Sequence, residues 1–387
     1  GSSAGRIEIG NGGSGTLTIA GGTLQVNLAD TSTAPGTSIG RIWIGGGATN
    51  TTGGDGTLNM TAGELLYVAN AGSLNYGGLA IGRGSGVTGA FTQSGGTVRF
   101  SSAGALDLGT QGGTGSYTLQ GDAVFDATSG GLTAYVGSRT SGAGGSGTAA
   151  QGTLTISGNA QFSMTTGTFA GGQLYVGDSK GIGIITQDGA GSSVTLAVLN
   201  PTRFGSDVSN YGTGGTGIYN LSAGTLSVQS AGGSSQLIFG AASGGTGTFN
   251  ISGGSATVAV PLVLASTAGS TGTVTLTGGS LTLSGASYLS FGSGTGTFTL
   301  DGGTFTVGGT DGIRGTGQFN FGTGTLIAGS ALTTSSALTL LAGKTATIDT
   351  NGTTATFSGI VSGSGALRKS GAGTLTLSGA NTYSGGT

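Results

Sequence analysis

Two sets of ionisable residues have the types and spacing to do chemistry. Asp178, Lys180, Arg203 and Asp207 lie close together in the chain. Two carboxylates beside two cations could hold calcium next to a basic residue and act on a sugar polymer, but the favoured reading is solvated loop ion pairs of little energetic weight. Asp188 and Asp301 follow equivalent stretches of sequence and would form an acid/base pair if they met. Their register instead sets them four coils apart, about 19 Å at the usual strand spacing. The chain has no His and no Cys, which removes nucleophilic triads, thiolate metal sites and disulfides. The reading is of a protein that is not an enzyme, with no catalytic residues, no cofactor and no metal.

Composition narrows the class further. Glycine supplies 91 of 387 residues, with only 3 prolines, and charged residues are 6%. No Gly-X-Y period exists, so collagen is excluded. Mean hydropathy is +0.21, and the Thr, Leu, Val and Ile content is that of a folding chain rather than a disordered one. Net charge is −2, from 11 basic and 13 acidic residues spread singly. No basic stripe could neutralise phosphates, so nucleic acid is not an expected partner. No apolar run reaches the length of a spanning helix, so direct membrane insertion of this segment is not expected either.

The elements that must position any site come from a repeated phrase. "GTLTIAGGTLQV" at 15–26 returns as "GTFNISGGSATV" at 247–258 and "GTVTLTGGSLTL" at 272–283. The phrase starts at Gly15, Gly56, Gly89, Gly115, Gly152, Gly183, Gly217, Gly247, Gly272, Gly296 and Gly317, at spacings of 21 to 41 residues. Apolar residues alternate with polar ones, the period of a half-buried strand. A Gly-Gly corner follows, then a second short strand, then a third that reads apolar-x-apolar-Gly, as in Ile42-Trp43-Ile44-Gly45. A unit of this size cannot bury its own apolar face and must stack. The expectation is an all-β protein: a right-handed parallel β-helix with three short strands per coil, about a dozen coils and a length of roughly 60 Å. Residues 1–317 hold the regular repeats and 318–387 looser coils, in one continuous solenoid that reads as part of a longer chain. The length variation sits in the loops, such as those at 27–40, 45–55 and 138–151.

Outward columns offer contact surface. On the third strand the column runs Glu8, Trp43, Ala80, Asp107, Tyr135, Tyr175, Ile238, Val263, Ser290. Trp43, Tyr135, Tyr175 and Ile238 form an aromatic and aliphatic strip suited to a sugar or a protein, unless loops fold over it. Arg6 and Arg41 precede equivalent strands and should both point into solvent. The first strand shows Thr, Asn and Ser outward, interrupted by Ala90, Ile184 and Ile218; such Thr-x-Thr ladders resemble those of ice-binding solenoids, though Thr is also simply a favoured strand residue. Gln93 and Gln187 fall at inward positions, where their amides should bond backbone at a corner.

The C-terminal stretch "GSGALRKSGAGTLTLSGANTYSGGT" at 363–387 resembles the passenger-associated transport repeat of bacterial autotransporters. The residues that carry it are Gly371, Gly373, Thr374, Leu375, Leu377, Gly379, Asn381, Thr382 and Tyr383. The resemblance implies an extracellular β-helical passenger exported by type V secretion to the bacterial cell surface. The partners it implies are a cell-surface or matrix glycan or protein, or further copies of the chain, end to end or side by side in a filament or sheath. The role expected is adhesive or structural.

Overall fold

The computed structural model describes residues 6–27, 41–46, 53–68, 78–101, 103–129, 131–138, 149–165, 172–207 and 213–387. The expected loops at 27–40, 45–55 and 138–151 lie largely outside them. The described residues form 36 strands and no helix, and every strand pairing is parallel. The chain is a parallel β-helix, as the repeat predicts.

Three ladders run its length. The first joins the phrase starts in the register read from sequence: Gly15↔Gly56↔Gly89↔Gly115↔Gly152↔Gly183↔Gly217↔Gly247↔Gly272↔Gly296. The second carries the short strand after the corner, such as Phe125↔Phe162. The third carries the apolar-x-apolar-Gly strand, such as Ile42↔Leu79. Pairing passes 317 without a break, from Phe298↔Phe319 to Phe319↔Leu338. Not every corner interrupts a strand. Gly15–Asn27 and Gly56–Val68 run through the first and second ladders, with a register shift between Ile19 and Thr23. Thr304–Arg314 does the same for the second and third.

The glycines that open each phrase are required by close packing at a corner. A Cβ on Gly183 would lie 2.0 Å from the Val136 carbonyl oxygen. The glycine that closes the third strand has a different reason. Gly177 has φ +64°, and a Cβ there would sit 1.9 Å from the Thr216 oxygen. Only glycine meets both conditions at no cost.

Inward side chains stack as columns because parallel register places like on like. Phe91 and Tyr117 stack at 4.5 Å, Tyr67 and Phe100 at 4.3 Å, Phe125 and Phe162 at 4.6 Å. Each such pair contributes about 0.5–1.5 kcal/mol beyond its burial. The two inward glutamines bond as expected and do more. Gln93 Nε2 donates to the carbonyls of Gly96 (2.9 Å) and Val124 (3.1 Å). Gln187 Nε2 donates to Thr225 O (3.0 Å) and Ser192 Oγ (3.1 Å). The Oε1 of each accepts a buried tyrosine hydroxyl from the next coil, Tyr117 at 2.5 Å and Tyr219 at 2.8 Å. Burial raises the phenol pKa of both tyrosines, which keeps them protonated as donors. Tyr67 is equally buried, but its hydroxyl has no hydrogen-bond partner among the described residues.

The same chemical change should therefore act with opposite sign at two stacked tyrosines. Tyr67→Phe removes an unsatisfied buried hydroxyl and should raise stability by about 1–3 kcal/mol, while Tyr117→Phe strands Gln93 Oε1 and should lower it by a similar amount. Urea denaturation midpoints of the two variants measure this.

Candidate functional site: the C-terminal repeat and the outward columns

The residues of the C-terminal motif build the last coil. Lys369 follows Leu367 by two, so it stands at a core position, in register with the buried Ile348. It is nonetheless exposed, since Nζ turns back to the corner and donates to the carbonyls of Gly371 (2.8 Å) and Ser370 (3.4 Å) and to Thr350 Oγ1 (3.2 Å). Gly371 and Gly373 make that corner with φ +74° and +101°. Thr374–Leu377 then pairs with Thr354–Phe357, leaving Leu375 and Leu377 half-buried against the core. A Cβ on Gly379 would lie 2.3 Å from the Gly359 oxygen, so the chain can cross there only as glycine.

Beyond it, side chains and backbone share the first ladder. Asn381 Oδ1 accepts the Val361 N–H at 2.9 Å, and the Thr382 N–H donates to Val361 O at 2.9 Å. Tyr383 packs on the core edge and its hydroxyl lies 2.6 Å from Thr387 Oγ1. The nine motif residues thus serve one structure, a coil closed by an amide side chain and by two backbone approaches that exclude a Cβ. The inward Lys369 was missed in the sequence. The alternation Leu367-Arg368-Lys369 was the available signal.

The third-face column differs from expectation in two respects. Its members are in register, Glu8↔Trp43↔Ala80↔Asp107↔Tyr135↔Tyr175, but Arg203 follows Tyr175 and precedes Ile238. Part of the column is also covered. Trp43 is 2% exposed, Tyr175 4% and Ile238 6%, while Tyr135 is half-buried. The Arg83 guanidinium sits 4.9 Å from the Trp43 ring centre, and Arg203 sits 5.9 Å from that of Tyr175. Tyr135 and Tyr175 stack at 5.1 Å. Of the two readings of this strip, open or covered, three of its four members are buried, and cations lie over two of its rings. Arg6 pairs in register with Arg41, as read. Arg41 is half-buried rather than pointing into solvent, and the Arg6 side chain lies outside the described residues.

Of the four residues suited to sugar chemistry, the two carboxylates are brought together and Arg203 is set against the tyrosine column. Asp178 is fully buried and accepts from Ser206 Oγ (2.8 Å) and Ser138 Oγ (3.0 Å), its register neighbours. Ser179 Oγ lies 3.0 Å from both Asp178 Oδ2 and Asp207 Oδ1 and joins the two carboxylates. Ser179 and Lys180 both have positive φ, in a tight turn closed by Gly181 N–H to Asp178 O at 3.0 Å. Arg203 belongs to the tyrosine column. A carboxylate sealed beneath a turn cannot meet a polymer lying on the surface.

Asp188 and Asp301 stand four coils apart, as read, through Gln187↔Leu221↔Ile251↔Leu276↔Leu300. The Thr323 backbone N–H (3.1 Å) holds the Asp301 carboxyl below its ordinary pKa, with Lys344 at 3.6 Å assisting. A second cluster went unread in the sequence. On the second face, Arg99 bridges Glu64 (3.1 Å) and Asp126 (2.5 Å), residues from three successive coils.

Asn381→Ala should free the Val361 N–H. Its amide exchange should accelerate about tenfold, the loss of roughly one hydrogen bond, while amides of the Thr271–Leu276 strand stay protected.

The comparisons agree with this geometry. Residues 367–387 match the passenger-associated-transport-repeat family. No curated protein and no solved structure matches the chain. The matched segment is the closing coil described above, from Leu367 to Thr387, and the described coils before it form the same parallel β-helix. The chain carries a passenger-associated transport repeat on a β-solenoid, a combination that supports an autotransporter passenger and a secreted or cell-surface protein.

Proposed function

We propose that this chain is a non-enzymatic extracellular rod that holds contact surface away from a bacterial cell, in an adhesive or structural role. The observation that carries the reading is the transport repeat at 367–387, built as a regular coil of the same solenoid. A parallel β-helix suits the task physically. Its ladders run along the rod axis, so bending breaks many backbone bonds together. The chain has no Cys, so no disulfide opposes passage through a narrow secretion pore as an extended chain. Stacking coil on coil outside the cell would then satisfy backbone groups progressively, as neighbour-dependent repeats fold.

Among the described residues Asp178 is buried and Asp188 and Asp301 stand four coils apart, and the reading assigns no catalytic step. The partners it assigns are cell-surface or matrix components, glycan or protein, rather than nucleic acid.

The experiment is surface display. The chain, fused ahead of an autotransporter β-barrel in a Gram-negative host, should become accessible to added protease in intact cells. Gly379→Val, which forces a side chain into the Gly359 backbone, should cut the displayed fraction severalfold while leaving total synthesis unchanged. Equal display of the two proteins would reject a role for the repeat in export.

A further inference from the structure

The three faces differ in what they can touch. The third is the covered column of Trp43, Tyr175 and Ile238. The second carries the Glu64–Arg99–Asp126 cluster. On the first face, nine consecutive strands, from Thr88–Gln93 to Gln318–Phe321, contain no charged residue. Their outward side chains are Thr, Ser, Asn and Gln with few exceptions, exposed or half-buried. Ala90 aside, the exceptions cluster. Ile182, Ile184 and Ile218 occupy the fourth and fifth of the nine strands, in the register Ile182↔Thr216 and Ile184↔Ile218. Ile182 is 37% exposed, unusual for a large apolar side chain here. An apolar centre with a neutral polar surround is the anatomy of a protein interface.

We propose that this face is a lateral self-association surface, on which a second copy of the chain packs by two-fold symmetry. The inference rests on the fold and not on the transport repeat. A two-fold contact sets each patch against itself. Groups near the axis then meet their own copies, so a charge there would repel; these nine strands have none, whereas the second face carries the Glu64–Arg99–Asp126 cluster. The central position of the isoleucines lets them bury one another at the axis. Polar groups at the surround are partly satisfied within the ladder already, as Asn250 Nδ2 donates to Asn220 Oδ1 at 2.9 Å, so covering them leaves less unmet. Nine strands at about 4.8 Å and six residues at about 3.3 Å give a plane of about 860 Å² per copy. Two such planes bury about 1,700 Å², the standard size of a stable protein interface.

Sedimentation velocity of the full chain from about 1 to 100 µM tests this. The wild type should shift from single to paired rods within that range. Ile184→Lys with Ile218→Lys places charge at the centre and should raise the dissociation constant about tenfold or more. Ile184→Thr with Ile218→Thr reproduces the residue of neighbouring coils, cannot disturb the core, and should weaken pairing in the same direction. Arg99→Ala on the second face should leave it unchanged. Single rods at every concentration would overturn the proposal, as would pairing that survives both isoleucine variants. A wild type that stays single yet sediments with insoluble β-glucan, and loses that with the isoleucine changes, would also overturn it and give the face to a neutral glycan.

Discussion

No coil of this protein can satisfy its own backbone. Each strand is too short and too isolated within its coil to pair locally, so its N–H and C=O groups find partners only in the coil before and the coil after, about 4.8 Å away. The spacing is fixed by the hydrogen bond, and the rest of the structure follows it. Side chains must repeat at that interval, which makes columns. Corners must bring backbone against backbone, which makes glycine obligatory where Gly183 meets Val136. Charge must be sparse or alternating, because like charges one strand spacing apart repel.

Columns turn a local choice into a shared one. A phenylalanine placed inward stacks on its register neighbour, as Phe125 does on Phe162. A glutamine placed inward must find partners for its amide, and takes two carbonyls from the corner and a hydroxyl from the next coil. Lys369 shows how a cation occupies a core position: the amine folds back on the corner carbonyls rather than entering the core. Outward, the same register produces three unlike faces, one partly covered, one charged and one neutral.

The C-terminal motif is physically of a piece with the coils before it. Its glycines permit close crossings and positive φ, its leucines face the core edge, and Asn381 supplies a side-chain acceptor where the ladder lacks a backbone one. The residues that mark a transport repeat in sequence are residues that close a coil.

Much of this was legible in the chain before any coordinates. The alternation Thr16-Leu17-Thr18-Ile19 is a strand with one wet face, and the recurrence of its opening glycine set the register coil by coil. Periodicity is a local property, and a parallel stack copies it outward without distortion. The motif at 367–387 was legible for the same reason, as a local pattern. Exposure was not. Trp43, Tyr175 and Ile238 alternate outward as faithfully as any threonine, yet they are buried, the first two beneath the guanidinium groups of Arg83 and Arg203. Partnership across coils was not legible either: Arg203 entered the tyrosine column, and Glu64, Arg99 and Asp126 met from three successive coils. The sequence by itself determined the ladders and the alternation of inward and outward positions, but not where Arg41 and Lys369 turn. Only the tertiary structure decided which outward side chains are buried, since that depends on side chains brought from neighbouring coils, as Arg83 is to Trp43, and no period constrains those.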